Sequence, residues 1–168
     1  MRILTIGLAL CATACAPMTT STSTQGERSA AVADYRVFGP GDFQSFVKNW
    51  DGNAPLCVRI RTAAEWDRYF GAAAVMGGDK PFGPPPELWN THTAFLLARE
   101  ANGGGDVGDR LKLQTVQRGA GGLRIDTAFD RGTGSHQVTT YVLVAIPRPV
   151  TGTVTFTDRG QPVCSVRA

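Results

Sequence analysis

The second half of the chain is a succession of short alternating segments separated by glycine-rich joints, and this pattern constrains the fold most. Polar and apolar residues alternate over 111–116, 123–129 and 150–157, and a last short strand is predicted over 163–166. The stretch 138–146 is almost continuously apolar or β-branched, which predicts a central strand buried on both faces. We therefore expect a mainly β fold, α+β only at its margin: an antiparallel β-sandwich or partly open barrel of about six to eight short strands, with one or two short helices.

Two further strands and one helix are predicted nearer the N-terminus. Residues 92–98 form an apolar run, and residues 56–61 alternate after a turn. Thr62 is followed three residues later by Glu65, a capping-box signature that begins a short helix ending near Gly71. The sequence then predicts a long loop, since residues 72–87 contain glycine pairs and three consecutive prolines.

The segment 43–50 supports two interpretations. Phe43, Phe46, Val47 and Trp50 follow the spacing of one helix face, and Asp42 is a possible N-cap. The segment is short and lies between glycine-rich turns, so a pair of strands is the alternative.

The first 14 residues have the pattern of a secretion signal. Met1-Arg2 supplies a positive start, and an uncharged, mainly apolar run of about 12 residues follows, too short to cross a bilayer core of about 30 Å. Residues 15–34 are rich in Thr and Ser and lack apolar periodicity, which predicts a flexible tether. The expected organisation is a signal peptide over 1–14, a tether over 15–34 and a single β-rich domain over 35–168.

Cys15 is the predicted lipidation site. Ala14 provides the small residue that a lipoprotein signal requires before its cysteine, although Ala12 stands where Leu is usual. Several acyl chains would make membrane attachment stable. Because Ala16 and not Asp follows, we expect an outer-membrane lipoprotein that faces the periplasm. Ordinary cleavage to a soluble periplasmic protein is the alternative.

Cys57 and Cys164 are the cysteines that remain for the domain, and in an oxidising compartment they predict a disulfide. The bond would close a loop of about 107 residues and stabilise the fold by about 4–5 kcal/mol. Two separate buried thiols are the alternative. The position of Cys57 is inconsistent with a buried bond in a strand that is covered on one face. Val58 and Ile60 mark the buried face of that strand, so Cys57 points to the opposite face unless both faces are covered.

The remaining residues offer little catalytic or cofactor chemistry. The net charge is only +3 and no basic cluster lies among aromatic residues, so we expect no nucleic-acid partner. The glycine-rich stretch 103–109 is interpreted as a hairpin connection and not as a phosphate or calcium site. His92 and His136 have no patterned co-ligands for zinc, and Ser135 lies in no nucleophile elbow. We expect no cofactor, no metal and no catalytic residue.

Three separated pieces of the chain carry a family resemblance. They are the strand and capped helix over 60–66 with Trp66, the prolines at 84–86, and the segment Val-Ala-Ile-Pro-Arg over 144–148. In this order, with the apolar strand over 95–98 and a glycine-rich turn before an alternating strand, the chain resembles the PrcB-like protease-complex-stabilising lipoproteins of the bacterial envelope. The resemblance implies an anchored, non-catalytic module that binds or stabilises another exported protein, in the best-known case a protease.

Two alternative functions remain open from the sequence. The stretch Gly119-Ala120-Gly121-Gly122 and the pair Arg148-Pro149 are similar to loops of immunoglobulin-like cysteine-peptidase inhibitors. A small periplasmic hydrolase that uses Ser135 or His136 is the enzymatic alternative. A binding module for an envelope protein is the leading hypothesis, because the anchor, the tether and a site-free β domain all agree with it.

Overall fold

The computed structural model describes residues 30–73, 78–103 and 106–168. Within these ranges the chain forms eleven strands and two α-helices. The strands are β1 Ala30–Ala31, β2 Arg36–Phe38, β3 Ser45–Val47, β4 Leu56–Ile60, β5 Phe70–Ala72, β6 His92–Asn102, β7 Leu111–Gly119, β8 Gly122–Phe129, β9 Gln137–Pro147, β10 Thr153–Asp158 and β11 Gln161–Arg167. The helices are α1 Ala63–Tyr69 and α2 Leu88–Thr91.

The long strands form two sheets that pack face to face as an open sandwich. One sheet has five strands in the order β1-β7-β8-β10-β11, and the other has four in the order β2-β9-β6-β4. Neighbours pair antiparallel except β8 and β10, which run parallel because the chain crosses to the other sheet as β9 before it returns. The predicted β-rich sandwich is confirmed, with this parallel pair and several very short strands in addition.

The four-stranded sheet is buried on both faces, as the apolar run over 138–146 predicts. Along β9, Val142 and Val144 face the five-stranded sheet, whereas Leu143 and Ala145 face the opposite side. Side chains alternate across a strand, so a continuous apolar run requires a cover on each face. We call the apolar layer between the sheets the inter-sheet core. The other face is covered by the cap, which consists of β3, α1, β5, α2 and their connecting loops.

Helix α1 begins where the capping box predicts. The Thr62 hydroxyl accepts a hydrogen bond from the backbone N–H of Glu65 at 3.1 Å. The Glu65 carboxylate in turn accepts one from the backbone N–H of Arg61 at 2.6 Å. These bonds satisfy donors that a helix N-terminus otherwise leaves unpaired. The helix buries Trp66 against the four-stranded sheet and so fixes the cap on it.

Two local predictions are corrected. No helix forms over 43–50: β3 pairs antiparallel with β5, so the strand alternative is correct, and Asn49 has a left-handed φ of 56° that is incompatible with a continuing helix. Residues 103–109 do not form a hairpin connection, because β6 and β7 belong to different sheets. The described part of this joint is a 3₁₀ turn over Val107–Arg110, and the Asp106 side chain accepts from the Gly108 N–H at 2.9 Å.

Regular structure begins inside the predicted tether. Ala30 and Ala31 form β1 and pair with Arg118 and Gln117 of β7, and the backbone N–H of Val32 donates to the carbonyl of Val116 at 3.0 Å. The predicted signal peptide and Cys15 lie outside the described residues. The longest helix of the described ranges has seven residues, and none there has the length and hydropathy of a membrane-spanning helix.

The predicted disulfide is confirmed and its layer is now clear. Cys57 and Cys164 are bonded, with their Cα atoms 6.3 Å apart. They lie on β4 and β11, the edge strands of the two sheets, so the bond joins one side of the sandwich. Cys57 faces the inter-sheet core, whereas Val58 and Ile60 face the cap. The inconsistency is resolved because β4 is covered on both sides.

Candidate functional site

The cap is held together by a cluster of aromatic rings. Trp66 and Phe70, one helical turn apart, stack with their centroids 3.7 Å from each other and their planes 4° apart. Phe43 meets the Trp66 ring edge-on at 5.4 Å, and Trp89 lies 6.3 Å from it. Phe70 also contacts Tyr141 of β9 at 5.3 Å. Aromatic contacts of this kind give the cap its rigidity on the sheet.

A surface depression of about 400 Å³ lies between α1 and the proline-rich segment. Phe82 borders it and is 59% exposed, the most exposed large apolar side chain of the described residues. Gly83 lets the proline segment approach the helix, because a Cβ there would lie 2.8 Å from Trp66 Nε1. The remaining lining consists of small, proline, aromatic and acidic residues: Ala63, Asp67, Phe70, Gly71, Ala72, Pro84, Pro86 and Trp89.

Two further depressions continue the first one towards the end of the sheet. The second, about 510 Å³, shares Ala63, Pro86 and Trp89 with the first and adds two arginines, Arg61 and Arg148. The third, about 310 Å³, shares both arginines and adds residues of the last loop and of the C-terminal segment. We call the three together the aromatic–arginine groove. Its one end is lined by aromatic rings and prolines, and its other end is cationic.

Arg148 is held in place by neutral acceptors. Its Nε donates to the Thr93 hydroxyl at 3.2 Å, and its Nη2 donates to the backbone carbonyl of Arg61 at 2.9 Å. Within the described ranges no carboxylate lies within 4.0 Å of its guanidinium. A guanidinium carries five N–H donors, so donors on Nη1 and Nη2 remain for a ligand. Arg148 is therefore a positioned cation without a counter-ion.

The other charges at this end are also positive on balance. Arg61 is 50% exposed and lies 4.0 Å from the Glu65 carboxylate, a contact that is weak at an exposed site. Burial lowers the pKa of His92, and the positive charges of Arg36 and Arg148 lower it further. His92 is therefore neutral at pH 7, with its Nδ1 2.7 Å from the Thr91 hydroxyl. The cationic end consists of arginines around an uncharged imidazole.

The histidines and the serine considered in the sequence do not come together. His92 and His136 lie at opposite ends of the β6–β9 pair, since His92 opposes Pro147 and Asn102 opposes Gln137. Ser135 and His136 are exposed in the loop before β9, and the His136 carbonyl accepts from the Gly103 N–H at 2.6 Å. In the described part of the chain no group of three or more His, Cys, Asp or Glu could hold a metal.

A second polar cleft of about 200 Å³ contains an arginine whose charge is already compensated. Arg99 donates to Asp158 at 2.8 Å and lies over the ring of Phe129, 3.7 Å from its centroid. This ion pair joins the ends of the two sheets and needs no ligand. The aromatic–arginine groove differs because Arg148 lacks a carboxylate partner among the described residues and Phe82 at the aromatic end is exposed, so we regard it as the candidate site.

Sequence reasoning did not identify the groove as a site. Trp66, the prolines and Arg148 belong to three separate motifs of the sequence, and nothing in the sequence places these motifs together. Phe82 lies in a predicted loop and Trp89 lies just before a predicted strand, and no sequence pattern marks either residue as functional. Comparison of the chain with protein-family models, curated proteins and solved structures finds no match.

Proposed function

We propose that this chain is an exported, lipid-anchored, non-catalytic module that binds another protein of the cell envelope and stabilises it, with a secreted protease as the first candidate partner. The observation that carries the proposal is the aromatic–arginine groove. Aromatic residues and arginine are enriched at protein interfaces and dominate their binding energy. Here both residue types line adjoining depressions that share Ala63, Pro86 and Trp89.

The placement of the resembling motifs supports the same function. Trp66 comes from the capped helix, Pro84 and Pro86 from the proline segment, and Arg148 from the end of β9. These three pieces lie far apart in the sequence, yet each contributes lining residues to the groove. A shared binding surface gives a physical reason for their joint occurrence in one chain.

The predicted anchor is compatible with this function. Fifteen residues run from Cys15 to Ser29, before β1 begins at Ala30. A chain of that length spans at most about 50 Å. Lipidation at Cys15 would therefore hold the groove close to the membrane surface, where other anchored or exported proteins are concentrated.

Site-specific photocrosslinking in the native envelope tests the proposal. The full chain carries p-benzoylphenylalanine in place of Phe82, and a matched variant carries it in place of Ser165, which is exposed on the outer face of the five-stranded sheet. We expect one exported protein to be crosslinked through position 82 and not through position 165. Identical products at both positions, or none at position 82, would contradict the proposal.

Two measurements separate binding from its alternatives. If the proposal is correct, the half-life of the crosslinked partner falls in cells that lack this chain, and a Cys15→Ser variant restores it only partly. Turnover of an ester, peptide or glycan panel that disappears in His136→Ala would instead identify a hydrolase. Dose-dependent inhibition of a papain-like protease by the purified chain would identify an inhibitor.

A further inference from the structure

We propose that the groove recognises an extended segment of the partner that carries a carboxylate beside a proline or aromatic residue, an inference that rests on the proposed function. The carboxylate pairs with Arg148, and the neighbouring apolar residue packs against Trp89. The inference follows from the charge distribution along the groove and from the way in which Arg148 is held.

The charges of the cationic end select an anionic ligand group. Arg36 and Arg148 both act electrostatically on His92, and Arg61 lies in the same depressions as Arg148. Glu65 faces only Arg61, at 4.0 Å. An anion bound beside Arg148 would therefore meet a guanidinium with no carboxylate within 4.0 Å among the described residues, which favours association with a complementary partner.

The geometry of Arg148 selects a planar anion. Thr93 and the Arg61 carbonyl take one N–H each from Nε and Nη2, and this holds the guanidinium in one orientation. The remaining donors include both N–H groups of Nη1. A fixed guanidinium edge matches the two oxygens of a carboxylate and forms stronger hydrogen bonds than neutral partners would. Because the orientation is fixed in advance, little side-chain entropy is lost on binding.

Trp89 connects the two kinds of recognition. It lines both the aromatic depression and the depression that contains Arg148, so one short segment can contact both. Aromatic-lined grooves bind proline-rich extended segments, because such segments are already ordered before binding. Three depressions in series suit an extended peptide, whereas a lipid headgroup would need only the cationic end.

A paired peptide array tests the inference. The probes are fluorescein-labelled eight-residue peptides in which Pro-Pro or Trp lies one to four positions from Asp or Glu, and each has a twin with Asn or Gln at the acidic position. Fluorescence anisotropy is measured with the full chain purified from membranes, at low and high salt. We expect the best acidic peptides to bind about tenfold more tightly than their twins at low salt.

Matched variants assign the preference to the groove. Arg148→Gln should abolish the difference between acidic and neutral twins, and Arg148→Lys, which keeps the charge without the planar fork, should retain part of it. Arg131→Gln, exposed beside the separate polar cleft, should leave the difference unchanged. Phe82→Ser should weaken both twins alike, and Val37→Ser, at an exposed apolar residue outside the groove, should weaken neither. Thermal unfolding checks that each variant is folded.

Several outcomes would overturn the inference. Equal binding of both twins, or binding of no acidic peptide, contradicts it. So does Arg148-dependent binding to vesicles with anionic lipids without peptide binding, which would favour a membrane surface. A dimer that sediments in the wild type and dissociates in Arg148→Gln would make a second copy the occupant. If crosslinking through position 82 recovers a partner while the array shows no carboxylate preference, the inference fails and the proposed function stands.

Discussion

Both faces of the four-stranded sheet are buried, but different parts of the molecule cover them. Leu143 and Val144 are neighbours on β9 and both are fully buried, one beneath the cap and the other in the inter-sheet core. The inter-sheet core consists mainly of aliphatic residues from long strands, and a disulfide joins its edge. The cap consists of short elements held by aromatic rings, and it leaves an open groove.

The difference has a physical cause. Two sheets with alternating side chains can interdigitate along their whole length and leave no space. Elements of three to seven residues cannot cover a sheet face as evenly, so bulky rings fill the gaps and depressions remain at the surface. The hydroxyls of Ser45, in the cap, and of Tyr141, on β9 beneath it, are buried without a hydrogen bond of normal geometry among the described residues. Function is expected on the less perfectly packed side.

Removal of the disulfide should give the largest loss of stability and act on the inter-sheet side. Cys57→Ala combined with Cys164→Ala releases a loop closed over 107 residues. The free energy of unfolding should fall by about 4–5 kcal/mol, measured by urea denaturation. Reduction of the wild-type protein should have the same effect. A loss below about 1 kcal/mol would mean that the sandwich does not depend on this bond.

Leucine truncations on β6 compare the two cores directly. Leu96 faces the cap and Leu97 the inter-sheet core, and both are fully buried. Each change to Ala should lower the free energy of unfolding by about 3 kcal/mol, less than the loss of the disulfide. Leu97→Ala should lower the free energy of unfolding more than Leu96→Ala does. The short elements of the cap can move into a cavity more easily than two disulfide-linked sheets can. Urea denaturation of both variants decides the order, and a greater loss in Leu96→Ala would contradict this account.

Removal of the N-cap side chain of α1 should lower the stability of the cap and leave that of the two-sheet sandwich unchanged. Thr62→Ala deletes the hydroxyl that accepts from the Glu65 N–H and should cost about 1 kcal/mol. Hydrogen exchange should accelerate in α1 and remain unchanged in β7 and β8. Thr151→Ala, exposed in the loop before β10, serves as the control and should change neither. Acceleration in both sheets would show that the cap and the sandwich unfold as one unit.

The smallest effect is expected on the outer face of the five-stranded sheet. The Thr157 hydroxyl and the Gly160 N–H both bond to the Asp126 carboxylate, and they lower its pKa in the folded state. The ionised carboxylate therefore stabilises the fold above its ordinary pKa of about 3.9, and this contribution is lost as the pH falls through the lowered value. Asp126→Asn should show a smaller drop in stability between pH 7 and pH 3 than the wild type. Equal drops in the wild type and in Asp126→Asn would contradict this role of the Asp126 carboxylate.

Much of the fold could be predicted from local patterns, whereas the site could not. The capping box predicted the beginning of α1, and alternating or continuous apolar segments predicted the strands of the sandwich from β6 onwards. Of the two interpretations of 43–50 the helix does not form, because its four apolar residues follow helical spacing by coincidence, while Ser45 and Val47 turn inward from a strand. The spacing of apolar residues in so short a segment cannot distinguish a helix from a strand without knowledge of which elements pack beneath it.

By itself, the sequence determined the strand alternation and the need to cover both faces of β9, and it predicted the bond between its two domain cysteines. Each of these follows from residues close together in the chain or from a cysteine count. Only the tertiary structure decided which elements provide that cover, and on which face Cys57 lies. It also brought Trp66, Trp89 and Arg148 to one groove, because contacts between distant segments depend on how the layers pack and not on any local period.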